Sequence, residues 1–211
     1  PARMPPKPKL RREAIIDLAF DHVRRQGWQG LTARHLAEQL NTSTKPIYFH
    51  FASMAELEAA VVKKALDRIL DNIRGCYSGD PWIDQAVGVV LFAVEEKYLF
   101  RAIFDEKHVA VRRKYSTHVW QAGREQLKDY EPFKGLSDAQ VEMIRRARWV
   151  CTHGLASLMN IANWPWPERG QDLLITMVQR LSHAVYNEFK NDTENFLSLS
   201  DISDPNGPYL R

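Results

Sequence analysis

Residues 27–57 read GWQGLTARHLAEQLNTSTKPIYFHFASMAEL. Thr32 is a residue type that caps helices, and Leu36, Ala37 and Leu40 fall on one side of the helix it opens. Asn41-Thr42-Ser43 then makes a three-residue turn, which needs a residue tolerant of left-handed backbone; after glycine, asparagine is the best choice. The spacing predicts a short helix next, capped by Ser43, with Pro46 in the first turn, where a missing N–H costs little. Ile47 and Phe51 are its core residues, and Ser53-Met54-Ala55-Glu56 is a capping box for the helix after it. A positioning helix, a tight turn and a short second helix make a helix-turn-helix, which lays that second helix in the DNA major groove.

The helical reading extends in both directions. Upstream, Ile15, Ile16, Ala19, Phe20 and Val23 recur at helical spacing and stop near Gly27. Downstream of Ser53, Leu57, Val61, Val62, Ala65, Leu66, Ile69 and Ile73 form one stripe ending at Gly75. Asp80-Pro81 opens a helix containing AVGVVLFAV, residues 86–94, which is apolar all round and therefore expected at the centre of the body. Further helices are expected over Tyr98–Asp105, Val111–Tyr130 and, from the capping box Ser137-Asp138-Ala139-Gln140, as far as Asn160. Trp164-Pro165-Trp166-Pro167 breaks the chain before a last helix striped by Leu174, Val178, Leu181, Val185 and Phe189. Long alternating β-branched runs are missing, so the fold class is all-α: a head over residues 1–52, a helical body over 53–190 and a tail over 191–211.

At 211 residues the chain can bury a core without disulfide or metal staples. The basic N-terminus has no apolar segment behind it, and Cys76 and Cys151 stand alone, so the expectation is a cytoplasmic protein with reduced thiols, no membrane partner, no cofactor and no metal. The net charge of +3 says little until it is divided. Residues 1–51 hold nine basic and four acidic residues, a balance of +5, leaving twenty and twenty-two, or −2. That suits a head that meets a polyanion, or a merely solvated basic face. No catalytic residues are expected. Nucleophile elbow, phosphate-cradling loop, His-Glu-x-x-His and Cys-x-x-Cys are all missing, and Cys151 and His153 diverge by about 200° on a helix.

Residues 27–57 resemble the DNA-binding domain of TetR-family transcriptional repressors. The resemblance rests on Gly27, Thr32, Leu36-Ala37, the turn before Ser43, Ile47-Tyr48, His50-Phe51 and Leu57. Trp149-Val150-Cys151-Thr152-His153-Gly154-Leu155 is similar to the Trp…His-Gly signature of the family's WHG-type effector domains. Two positions depart from the pattern: Asn41 where members usually have Gly, and Met54 where they have Lys, which removes one expected phosphate contact. The resemblance implies a homodimer on a near-palindromic double-stranded DNA operator, whose grip changes when a small-molecule effector enters the body. Two heads must then sit about 34–36 Å apart to engage successive major grooves. The alternative is a helical ligand-binding or adaptor protein that has lost sequence-specific operator binding.

Candidate residues follow from their places on these helices. Lys45 suits a guanine edge or a phosphate, Thr44 a phosphate or a thymine methyl, and Tyr48 and His50 phosphates. Ser43, Pro46 and Phe49 share that helix, and Arg34 is a phosphate clamp from the helix before it; for Tyr48 and Phe49 the alternative is packing within the head. Lys7, Lys9, Arg11 and Arg12 form either a DNA-reaching arm or a solvated tail. Phe92, Phe100, Phe104, Tyr115, His118, Trp120, Trp149 and His153 are candidates for an aromatic-lined effector pocket, with ordinary core packing as the alternative for most of them. The helix from Ser137 shows two apolar faces. One holds Trp149, His153, Ala156 and Asn160; the other holds Ile144, Cys151, Leu155, Leu158 and Ala162. Cys151, Leu155 and Leu158 are therefore expected to meet a second copy, together with Leu174, Val178, Leu181 and Val185 of the last helix, as a four-helix seam.

Overall fold

The structure, a computed structural model, describes residues 10–161 and 170–191. The described residues are all-helical, with α1 (Arg12–Gln26), α2 (Ala33–Gln39), α3 (Lys45–His50), α4 (Met54–Ile73), α5 (Pro81–Glu95), α6 (Lys97–Phe104), α7 (Val109–Glu125), α8 (Asp138–Ile161) and α9 (Gly170–Phe189). Short 3-10 turns cover Glu106–His108 and Glu131–Phe133. The Trp-Pro break at 164–167, Ala162, Lys7, Lys9 and the expected tail from residue 192 on lie outside the described residues. Two compact units divide the chain: Pro1–Arg68 with Glu96–Val119, and Ile69–Glu95 with Trp120–Arg211. Helices α4 and α7 have residues in both.

In the first unit, α1 buries Ile15, Ala19, Phe20 and Val23 and stops where Gly27 takes φ 75°, its N–H returning 2.8 Å to the Val23 carbonyl. Thr32 caps α2 by accepting from the His35 N–H at 3.1 Å. Ala33, Leu36 and Ala37 of α2, Ile47 of α3, and Leu57, Val61 and Val62 of α4 complete the head's core. Each large side chain buried there contributes about 1.5–3 kcal/mol of transfer free energy. Leu99, Phe100 and Ile103 of α6 are buried in the same unit.

In the second unit, α5 is buried from Trp82 through Ala93, as an all-round apolar helix must be. Asp80 caps it, Oδ1 accepting from the Trp82 N–H at 2.8 Å, while Oδ2 takes the Tyr130 hydroxyl at 3.0 Å. Burial first, and then that bond to Asp80, raise the Tyr130 pKa well above the ordinary phenol value. Gly88 lets α5 pass close to the end of α4, since a Cβ there would overlap the Asn72 carbonyl. α8 opens on a full capping box: Ser137 Oγ accepts from the Gln140 N–H at 3.2 Å, and Gln140 Oε1 accepts from the Ser137 N–H at 2.9 Å. Helix α8 turns Ile144, Arg145, Arg148, Thr152, Ala156 and Asn160 inward, and α9 turns Leu174, Val178 and Ser182 inward.

Candidate nucleic-acid interface

The turn between α2 and α3 is made by Asn41, whose φ of 49° is the only positive value at a non-glycine among the described residues. The following cap differs from expectation. Thr44, not Ser43, is the N-cap of α3, and no side-chain bond closes it. Thr44 already has helical dihedrals (φ −70°, ψ −15°), so the turn runs straight into the helix and leaves Ser43 exposed. Pro46 falls at the start, where no N–H is needed.

Ile47 is 1% exposed and roots α3 in the head's core. The opposite side stands in solvent: Lys45 is exposed, Tyr48 is 52% exposed and Phe49 83%. A phenylalanine so exposed on a six-residue helix is not head packing; it is a surface left uncovered by this chain. Arg34, on α2, is also exposed and pairs with Glu38 at 3.1 Å. A solvated i, i+4 pair of this kind contributes only about 0.3–0.5 kcal/mol, so it yields readily to a phosphate. His50 is placed differently from a free phosphate donor. Its Nε2–H donates to the Leu10 carbonyl at 2.7 Å, fastening the start of the chain's described part to the end of α3. Arg12 lies there too, 4.6 Å from the Phe51 ring centroid and 3.8 Å from Glu56. At the start of α4, Ser53 Oγ accepts from the Glu56 N–H at 3.3 Å, and Glu56 reaches back to the Ala52 N–H at 2.8 Å.

The expected effector residues fall into both units. Phe100, Phe104, Tyr115 and His118 belong to the first, where Phe100 and Phe104 lie 4.8 Å apart and His118 Nε2 meets Asp67 at 3.0 Å. Phe92, Trp120, Trp149 and His153 belong to the second. Phe92 is fully buried, whereas Trp120, Trp149 and His153 are half-buried and contiguous. Trp120 lies edge-on to Trp149 at 6.5 Å, and Trp149 stacks with His153 at 5.4 Å.

Two assignments to the seam need correcting. Leu174 and Val178 are 2% and 3% exposed within this one chain, so they cannot meet a partner directly. The outward stripe of α9 is Leu173, Met177 and Leu181, set one residue earlier at its start. Ile144, placed on the outer face of α8 by its spacing, is likewise buried. Cys151 is exposed, Leu158 is 66% exposed, and Leu155 and Val185 are half-buried. Val150 and Ile161 extend the exposed apolar stripe of α8, which Gly154 shares, with open space where its Cβ would stand. Sequence reasoning also missed Arg145 and Arg148 on the inner face of α8, because charged residues are expected outside.

Residues 15–61 match the family described as bacterial regulatory proteins, tetR family. An uncharacterised HTH-type transcriptional regulator of Mycobacterium tuberculosis is 39% identical over 71 residues, 34% of this chain and 33% of that protein. The class C tetracycline repressor protein of Escherichia coli is 38% identical over 58 residues, 28% of this chain and 26% of the repressor. The matches thus span about a third or less of these relatives. A tetR-family transcriptional regulator from Streptomyces coelicolor shares the fold, with a TM-score of 0.64 at 18% identity over 92% of this chain and 97% of that one.

Proposed function

The chain belongs to the TetR family through its head, and on that premise we propose that it is a ligand-responsive transcriptional regulator, a repressor that binds a near-palindromic operator as a homodimer. The observation that carries the reading is α3: rooted by Ile47, entered through the left-handed Asn41, and presenting Lys45, Tyr48 and Phe49 to solvent. Phosphate contacts from Lys45 and Arg34 fix the register, and base edges and thymine methyls meet the outer side of the helix.

The second copy is held by the second unit. Val150, Leu158 and Ile161 of α8 and Leu173, Met177 and Leu181 of α9 leave an apolar surface larger than single scattered side chains, and Gly154 permits close approach of a facing helix. A two-fold pairing of these helices gives a self-complementary four-helix seam. A small molecule at the half-buried Trp120–Trp149–His153 wall relieves repression. By linkage, ligand and DNA then weaken each other equally, typically by about 1–3 kcal/mol. The α4 helix, with residues in both units, is the covalent path for that coupling.

Selection of bound duplexes from a random pool, followed by titration of the winner at several salt concentrations, tests the reading. Recovery of a two-fold-related motif with half-sites about one helical turn apart supports it. A salt-sensitive affinity with no sequence preference sinks the operator reading and leaves a nonspecific binder.

A further inference from the structure

The α8 helix carries Arg145, Arg146 and Arg148 within a single turn, and two of them point inward. Arg148 has only neutral partners. Its guanidinium lies 3.6 Å from the Trp82 ring centroid, donates to the Trp82 carbonyl, and donates at 2.9 Å to Gln85 Oε1. The Gln85 amide nitrogen is itself held by the Gly123 carbonyl at 2.7 Å, which aims its oxygen at Arg148. Among the described residues, Arg148 makes no ion pair. Burial, and then the charge of Arg145, push its pKa down to about 9, and the charge of Asp80, which makes no ion pair with it, offsets only part of that.

Arg145 is 2% exposed and lies 4.2 Å over the Trp120 ring. Nη1 donates to Glu142 Oε2 at 3.0 Å and Nη2 to the Trp120 carbonyl at 2.7 Å, but its Nε–H is buried with no acceptor. Glu142 is already shared, because its Oε1 accepts from Arg146 Nε and Trp120 Nε1, each at 2.8 Å. Glu142 is therefore shared by two guanidiniums, one of them buried, and Arg148 has no carboxylate in contact. The nearby Arg124 is matched by Asp138 at 2.9 Å and supplies no spare acid. A buried ion normally has a counter-charge, and a buried N–H normally has an acceptor. Here Arg145 lacks an acceptor beside the half-buried rings of Trp120 and Trp149, and Arg148, close enough for its charge to act on Arg145, lacks a contacting carboxylate.

We propose that the second unit binds an aromatic carboxylate, its oxyanion on the Arg145 Nε–H with the Arg148 charge behind it, and its ring against Trp120 and Trp149. The proposal deepens, and rests on, the reading of the chain as a ligand-responsive regulator. The arrangement selects by charge as well as by shape. The anion supplies both an acceptor and a counter-charge, whereas a neutral amide supplies a carbonyl acceptor and leaves the charge deficit in place.

The test uses the full chain with 2-naphthoate, indole-3-acetate and cinnamate, each beside its primary amide, followed by tryptophan fluorescence and by thermal shift. At least one acid is expected to quench saturably and bind about tenfold or more tighter than its amide. Arg148→Met is expected to erase most of that preference, and Arg145→Lys, which keeps a charge but loses the Nε donor, to weaken acid and amide alike. The acid-to-amide ratio of the unsubstituted chain needs no variant, so a folding defect cannot mask the result. Equal affinity for acid and amide, no response to any of the three acids, or an unchanged ratio in well-folded Arg148→Met overturns the proposal. Operator release, read in the same samples, separates it from its premise. An acid that binds without releasing DNA upholds the carboxylate site and sinks the inducer reading. Release by an amide does the reverse.

Discussion

Arg24 grips Glu96 at two points: its Nε and Nη2 each lie 2.6 Å from one of the two carboxylate oxygens. Arg24 is in the last turn of α1 and Glu96 caps the start of α6, so the pair ties the reading head's first helix to α6 within the first unit. Glu96 is buried, and Arg68 reaches it from α4 at 3.5 Å. The bond and charge of Glu96 raise the Arg24 pKa, as expected for a bidentate pair. Arg24→Gln leaves the carboxylate with the longer Arg68 contact alone. Because Arg24 is itself half in water, the expected loss is about 1–2 kcal/mol, below the roughly 3–5 of a fully buried pair. Urea unfolding measures it, and an unchanged midpoint would show the grip to be idle.

On the reading helix, stability and affinity separate. Phe49 is 83% exposed, so Phe49→Ala is expected to change stability by no more than about 0.5 kcal/mol. If its ring meets base methyls, operator affinity falls about tenfold, within the roughly 1–3 kcal/mol carried by a good base contact. Lys45→Ala is also expected to lower affinity, and the salt slope then identifies its acceptor. A slope shallower by about one unit means a phosphate, whereas an unchanged slope with relaxed base preference means a guanine edge. Full affinity in both variants would remove α3 from the interface.

Much of this architecture was readable because local chemistry dictates it. Asn41 stands where only a side chain tolerant of positive φ fits, and Asp80-Pro81 can hardly be anything but a helix start. The failures have equally physical causes. Ser43 and Thr44 are both good caps, and the choice between them depends on dihedrals set by the whole turn. On α9, Leu173, Met177 and Leu181 run beside Leu174 and Val178, only about 100° apart, so an apolar stripe does not say which side meets its own core. The buried Arg145 and Arg148 were illegible for the opposite reason. Hydropathy places arginine outside, and only the carbonyls of Trp120 and Trp82 reveal why these two go in.

His108 makes the first unit sensitive to acid. Its ring is 3% exposed and lies 4.6 Å from Trp28. Facing it are Glu58, whose Oε2 is 3.6 Å from Nε2, Lys107, 2.6 Å from that same oxygen, and Asp105. Burial is the largest influence and, together with the charge of Lys107, lowers the His108 pKa more than Glu58 and Asp105 raise it. The unfolded chain therefore takes up a proton near pH 6.5 that the folded chain resists. Stability contributed by the neutral ring is complete above that value and declines as pH falls toward the folded pKa, by at most about 1.4 kcal/mol per pH unit. Melting curves between pH 7.5 and about pH 5 should show the decline, and His108→Gln should flatten it. A parallel decline in the variant would assign the effect to other groups.

The two apolar series on α9 offer a direct contrast between core and seam. Leu174 is buried in its own chain, so Leu174→Ala should cost about 2–5 kcal/mol of stability at any protein concentration. Leu158, on α8, is 66% exposed and Leu181 is 40% exposed; charges there disturb little within one chain. In a two-fold seam, each substitution would bury two glutamates, one from each copy, facing apolar side chains without a counter-ion. Leu158→Glu with Leu181→Glu should therefore raise the dimer dissociation constant at least about hundredfold while the helical content of the chain persists. Sedimentation equilibrium reads the mass, and circular dichroism reads the helicity. Since two heads joined in one particle bind an operator with much higher effective concentration than two separate heads, operator affinity should fall along with the mass. A variant that stays dimeric would move the seam away from α8 and α9. One that turns monomeric yet holds the operator undiminished would sever dimerisation from DNA recognition.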